Sequence, residues 1–175
     1  MSDFLEILKY VIPSLVVFFT SFFLIRSFFK AEERRKMLEI KATLHKDVLP
    51  LKLQAYERLT IFLERISPAS LILRVHKNGM SARYLQNELV NTIKSEFEHN
   101  LSQQIYVSNT CWEVIKNAKE EMIKFVLTAG SKLDESSGGV DFSRLLLEIA
   151  GSVEKLPTSI ALDVLKAELR QTQLV

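Results

Sequence analysis

The chain has 175 residues, of which 47% are hydrophobic, and its formal net charge is +2. Its one cysteine, Cys111, excludes an internal disulfide, and five glycines with four prolines favour helices over a many-stranded fold. Residues 66–175 carry twelve Lys/Arg against thirteen Asp/Glu, so they lack the basic face typical of a nucleic-acid-binding domain. We therefore expect no nucleic-acid partner.

The chain begins with an apolar stretch. Residues 10–25 carry no charge, and the stretch continues past Arg26 to Phe29, with seven of the eleven phenylalanines in the first 29 residues. As a helix, residues 4–29 would measure about 39 Å, enough to cross a hydrocarbon core of roughly 30 Å. This predicts a transmembrane anchor over residues 1–30, with the membrane-contacting residues Tyr10, Phe18, Phe19, Phe22, Phe23 and Arg26.

Two alternatives to a spanning anchor fit this stretch less well. A cleaved signal peptide would need a basic start and a small-residue cleavage site, whereas the chain begins Met1-Ser-Asp-Phe and continues after the stretch with Lys30-Ala-Glu. A helix lying on the membrane surface would need a polar face, and only four uncharged polar residues lie between Pro13 and Lys30. A single span remains the expectation.

Charges on the two sides of the stretch predict its orientation. Asp3, Glu6 and Lys9 precede it, whereas a basic group follows it, consisting of Arg26, Lys30, Arg34, Arg35, Lys36 and Lys41. The positive-inside rule then places the N-terminus outside and the rest in the cytoplasm, beneath the inner (plasma) membrane. Glutamates among the cations favour a topology signal over a lipid-binding site, and binding to anionic lipid headgroups stays as an alternative.

Residues 31–50 are predicted to form a charged helical stalk that continues the anchor. Apolar residues keep helical spacing here among many charges, at Met37, Ile40, Leu44, Val48 and Leu51. Pro50 is expected to bend or end this helix.

Residues 51–130 are predicted to form a cytoplasmic helical bundle. One helix should finish before Pro68, and residues 68–77 could be a short helix or an extended segment. Ser81 can cap the next helix, and Ser108 or Asn109 the one after it. The stripes expected to face the core are Leu85, Leu89, Ile93 and Phe97, then Cys111, Ile115, Ala118, Met122, Phe125 and Ala129, ending at Gly130.

A polar, flexible loop is predicted over residues 131–139, followed by a C-terminal pair of helices over residues 140–175, the second opened by Pro157. The expected fold is therefore all-α, with an N-terminal transmembrane helix, a stalk and a small cytoplasmic bundle.

Three features of the sequence could provide a reactive or binding site. Glu96-x-x-His99 places a carboxylate and an imidazole on one helix face, but a carboxylate-bridged metal site needs a second such motif, and the chain has three histidines, none of them spaced to complete one. Cys111 lies on an apolar stripe, which predicts a buried and unreactive thiol. Residues 100–109 are uncharged and interrupt two helices. They are either a buried connection or a partner-docking surface with Gln103, Gln104 and Tyr106 exposed.

Two segments carry a family resemblance: Tyr56-Glu-Arg-Leu-Thr-Ile-Phe-Leu-Glu-Arg-Ile-Ser-Pro68, and Glu96-Phe-Glu-His-Asn-Leu-Ser-Gln-Gln-Ile-Tyr-Val-Ser108 continuing to Glu121. The chain resembles an uncharacterised bacterial family of small single-pass membrane proteins with a cytoplasmic helical region. That resemblance implies the architecture and no catalytic residue.

The function predicted from these features is that of a membrane-anchored, non-enzymatic interaction or scaffold protein. It would be a small subunit of an inner-membrane assembly or a homo-oligomer, with no cofactor and no small-molecule substrate. The alternatives are a helical bundle that binds metal through Glu96 and His99, or an anionic-lipid surface binder.

Overall fold

The computed structural model describes residues 2–134 and 136–173, and every regular element in them is a helix. Six α-helices follow one another, with a short 3-10 helix, Leu101–Ile105, between the third and fourth. Their bounds are α1 (Ser2–Arg65), α2 (Pro68–Val75), α3 (Ala82–Glu98), α4 (Asn109–Gly130), α5 (Gly139–Ser152) and α6 (Pro157–Gln173). The predicted all-α fold, with one long apolar N-terminal helix followed by a bundle, is confirmed.

Pro50 was expected to bend or end the helix, and α1 does not end there but continues to Arg65. Proline lacks an N–H, and its place in the helix therefore costs the hydrogen bond to the carbonyl four residues earlier. Helical turns on both sides of Pro50 are already formed, so the helix continues without a second nucleation step. The chain divides into two compact units at this point, Met1–Leu49 and Pro50–Val175.

The second unit has one apolar core. Helix α4 lies at its centre and packs against α3, α5 and α6, while α2 packs against α3 and α5. The predicted stripes lie in this core: Leu85, Leu89 and Ile93 of α3 are buried, and so are all members of the α4 stripe except the partly buried Phe125. The last turns of α1 contribute Leu59, Phe62 and Leu63, and Ile66 directly after the helix is buried with them.

Local signals at helix ends act as the sequence indicated. The Ser81 hydroxyl accepts a hydrogen bond from the Tyr84 N–H, and the Ser108 hydroxyl accepts one from the Cys111 N–H. Pro157 is the first residue of α6. For residues 68–77 the sequence allowed a short helix or an extended segment, and residues 68–75 form a helix.

The connection between α4 and α5 is tied to the bundle at its end. The Ala82 N–H donates to the Ser137 carbonyl at 3.0 Å, and the Gly139 N–H donates to the Met80 carbonyl at 2.8 Å. These bonds form an isolated antiparallel bridge between Ser81 and Gly138. Helix α5 consequently begins at Gly139, one residue before the predicted boundary.

Candidate functional site

The first candidate surface is the apolar part of α1. Every side chain from Val11 to Lys30 is exposed, including Phe18, Phe19, Phe22, Phe23 and Arg26. Within the helical segment Val11–Ile40, the most apolar window of 18 residues has a mean hydropathy of 1.9, and none of that window is buried. This helix is long and apolar enough to cross a membrane. The Tyr10 side chain lies outside the side chains that the structure describes.

The basic group follows directly on the same helix. Lys30, Arg34, Arg35 and Lys36 are all exposed. Arg35 donates through Nε to Glu39, one turn later, at 3.1 Å. Among the side chains that the structure describes, Lys30, Arg34 and Lys36 have no ion-pair partner. Arg34 and Lys36 are therefore available to anions outside the chain.

Glu96, the proposed metal ligand of the alternative hypothesis, is held by two arginines. One carboxylate oxygen accepts from Arg65 at 2.7 Å and from Arg74 at 2.9 Å. Partial burial acts to raise the pKa of Glu96, but the two guanidinium groups outweigh it and the pKa lies below its usual value. His99 is exposed at the C-cap of α3. The carboxylate thus joins α1, α2 and α3, a role that its spacing from His99 did not predict.

A groove of about 660 Å³ lies beside this ion-pair cluster. Helix α1 lines one side with Arg58, Ile61 and Arg65, and helix α3 lines the other with Asn91, Ser95, Glu96 and His99. In the described part of the chain, no group of three or more His, Cys, Asp or Glu side chains is arranged to hold a metal ion.

Cys111 is fully buried, as its place on the α4 stripe predicted. Burial raises the pKa of its thiol to about 12, and the carboxylate of Glu168 adds to the shift. The same carboxylate accepts a hydrogen bond from the Ser108 N–H at 2.9 Å, one from the Ser108 hydroxyl, and one from the Tyr56 hydroxyl at 2.6 Å. Glu168 of α6 therefore closes a polar link to the start of α4 and to α1, and Cys111 lies behind it as a protonated thiol.

Segment 100–109 is partly a buried connection and partly an exposed surface. Gln103 is only 6% exposed, so its expected exposure is wrong; the 3-10 helix turns it inward, where its amide donates to the Ser102 hydroxyl. Gln104 is exposed and Tyr106 half-buried. The exposed apolar residues were missed: Ile105 is 74% exposed and Leu101 41%. In a 3-10 helix residues three apart lie on the same face, so Leu101 shares a face with Gln104, and no helical spacing in the sequence indicated that Ile105 would be exposed.

Trp112 belongs to the core. Its ring stacks on Phe97 at 5.4 Å between centroids, and Phe97 in turn contacts Phe62 at 5.8 Å. The ammonium of Lys119 lies 4.6 Å from the Phe97 centroid and covers the stack from the solvent side.

These features define a class: a small helical bundle, joined on its N-terminal side to one exposed apolar helix with a basic group after it. Within that class the chain belongs to the family described as a family of unknown function (DUF7935), whose profile matches residues 2–172. The predicted membership of an uncharacterised family is confirmed at that level. No curated protein and no solved structure matches the chain.

Proposed function

We propose that this chain is a membrane-anchored, non-enzymatic interaction protein. Residues 4–29 span the inner membrane, the N-terminus lies outside, and the bundle in the cytoplasm binds protein partners within a membrane assembly. The observation that carries this proposal is the uncovered apolar helix, all of whose described side chains between residues 11 and 30 are exposed.

Exposure of that helix supports a lipid surrounding. Twenty consecutive exposed residues with so many aromatic and aliphatic side chains would present far more apolar surface than a soluble monomer usually tolerates. A hydrocarbon core removes this cost, since its thickness matches about 20 helical residues. The basic group that follows favours the cytoplasmic side for the bundle.

The chemistry of the bundle supports an interaction role over catalysis. Its buried thiol is protonated because burial raises the pKa of Cys111 to about 12. Two of its half-buried carboxylates, Glu96 and Glu168, are engaged by arginines and hydroxyls that hold helices together. Leu101, Gln104 and Ile105 are instead each exposed to solvent, and together they present the mixed apolar and amide chemistry of a protein interface.

Membrane extraction tests the anchor. The full-length protein should stay with membranes in alkaline carbonate, whereas a Phe18→Lys, Phe22→Lys variant should be released in part, because each central lysine costs about 2.5–3.5 kcal/mol of insertion free energy. A matched variant, Leu73→Lys and Val140→Lys, adds the same charge at exposed bundle positions and should stay bound. Release of the wild-type protein by carbonate would refute the anchor.

Protease access tests the orientation. Protease should remove the bundle in inverted vesicles and leave it intact in spheroplasts; the opposite pattern would refute the assignment.

In-cell photo-crosslinking tests the interaction role. A photoreactive residue at Gln104 or Ile105 should give discrete crosslinked protein bands. The control position, Arg144, is also exposed and lies on α5, outside the proposed interface. Equal, diffuse labelling at all three positions would refute an interface at residues 101–105.

A further inference from the structure

Apolar residues recur along the second half of α1 with a period of 11 residues. This period covers three helical turns, so it is not apparent when the residues are compared one turn at a time. Three triplets have this period: Met37, Ile40 and Leu44; Val48, Leu51 and Ala55; and Leu59, Phe62 and Ile66, the last of which directly follows α1. The intervals of three, four and four residues are complete twice, and the third triplet repeats the first two of them. Eleven residues over three turns average about 3.67 residues per turn, which keeps such a stripe on one side of a nearly straight helix.

The three repeats differ in how far they are covered. Leu59, Phe62 and Ile66 are at most 1% exposed, because they form part of the bundle core. Val48 and Leu51 of the middle repeat are 45% and 49% exposed, and Ala55 is buried. Met37 and Ile40 of the first repeat are 57% and 56% exposed. One sequence pattern therefore continues from residues buried in the bundle core to Met37, Ile40, Val48 and Leu51, which are exposed in the described chain.

We propose that this stripe, Met37 to Leu51, is the seam of a parallel pairing with a second copy of the same chain. The inference rests on the membrane anchor of the proposed function. Anchors in one bilayer hold every copy at the same height and in the same direction, so each stripe position meets itself. Confinement to the membrane also raises the effective concentration of the second copy.

Charge at the edge of the seam favours this parallel register. In a parallel coiled coil, flanking residues pair across the helices five positions apart. In the sequence, Asp47 and Lys52 have this spacing and carry opposite charges. Lys36 and Lys41 have the same spacing with like charges, so the attraction lies at the bundle-proximal end of the seam.

Cysteine crosslinking of the full-length protein in its native membranes tests the seam. Ile40→Cys and Val48→Cys, each in a Cys111→Ala background, place the thiol on the stripe. Leu38→Cys is the matched control, since Leu38 is apolar, 67% exposed and at the same height, but is turned off the stripe. Mild oxidation should link Ile40→Cys and Val48→Cys into homodimers several-fold more than Leu38→Cys. Equal yields at the three positions, or no homodimer at any, would overturn the proposal.

The result separates this inference from the proposed function. Suppose that the protein resists carbonate extraction and that photo-crosslinking at position 104 gives discrete bands, but that the three cysteine variants form homodimers in equal yield. Self-pairing is then refuted and the interaction role stands. If the stripe cysteines link instead to a different protein, self-pairing is likewise refuted. If carbonate releases the wild-type protein, the membrane anchor is refuted. The extraction experiment alone shows this, and no crosslinking result is needed.

Discussion

Replacing Glu168 by alanine should destabilise the bundle more than its exposure suggests. Glu168 lies on α6, and its carboxylate accepts hydrogen bonds from the Ser108 N–H, the Ser108 hydroxyl and the Tyr56 hydroxyl. Ser108 is the N-cap of α4, so the carboxylate also places a negative charge at a helix N-terminus. The Glu168→Ala variant loses all of these interactions at once.

The size of the effect follows from the surroundings of the three donors. A hydrogen bond to a charged acceptor contributes about 1.5–3 kcal/mol, and depriving a buried donor of its acceptor costs about 1–3 kcal/mol. Tyr56 is buried, but Glu168 is only half-buried, so water replaces part of what the carboxylate supplied. We expect a loss of about 2–4 kcal/mol in the free energy of unfolding.

Trp112 fluorescence measures this loss in the full-length protein. It is the only tryptophan and lies in the bundle, so urea unfolding in a mild non-ionic detergent reports on the bundle while detergent surrounds the apolar helix. Glu148→Ala is the control, because Glu148 is exposed and has no partner among the described side chains; it should change stability by less than about 0.5 kcal/mol. A Glu168→Ala effect no larger than this control would refute the reasoning.

The same link has a pH signature. Burial acts to raise the pKa of Glu168, but hydrogen bonds from Ser108 and Tyr56 outweigh burial and hold the pKa below its ordinary value of 4.5. The folded state therefore binds this proton more weakly than the unfolded state, and the stabilisation is fully present above about pH 4.5 and lost as the pH falls through the folded-state pKa. The stability difference between wild type and Glu168→Gln should shrink below about pH 4.5, and a constant difference would contradict the assignment.

Three further predictions concern the core. The Cys111 thiol should react with a soluble thiol reagent at pH 8 roughly a hundredfold or more slower than free cysteine, until urea unfolds the bundle; rapid labelling of the folded protein would contradict its burial. Phe62→Ala should cost about 3–5 kcal/mol by the same fluorescence assay, since the ring is buried and contacts Phe97. Gly139→Ala should destabilise by about 1–3 kcal/mol because its Cβ would lie 2.9 Å from the Met80 carbonyl, whereas Gly151→Ala, with nothing within 4 Å, should not; equal effects would refute the steric account.

Local signals account for what the sequence could predict. The α4 stripe recurs at helical intervals from Cys111 to Ala129, so its buried side is set by the helix alone. Ser81 and Ser108 cap helices through contacts three residues away, and such contacts do not depend on the rest of the fold. The fold class and most of the core follow from signals of this kind.

Non-local contacts account for what the sequence did not show. Glu96 meets Arg74 and Arg65 across 22 and 31 residues, and no spacing rule within one helix indicates such pairs. The sequence left open whether Gln103 is exposed on a docking surface or buried in a connection, and the 3-10 helix directs it inward and leaves Ile105 outside. Two glutamates that join helices and one apolar patch were therefore missed, because tertiary packing decides them.

The stretch of α1 between the apolar segment and the bundle poses two separate physical questions. It needs no partner to be helical, because nucleation is the costly step and residues 31–49 extend helix that is already formed on both sides. It does need one to remove Met37 and Ile40 from water, since more than half of each is exposed and helix formation does nothing to cover them. Without pairing, the helix would therefore remain intact and its apolar stripe would be exposed to water. Loss of self-association should consequently leave the helix content of α1 unchanged, so the two states differ in their contacts and not in their fold.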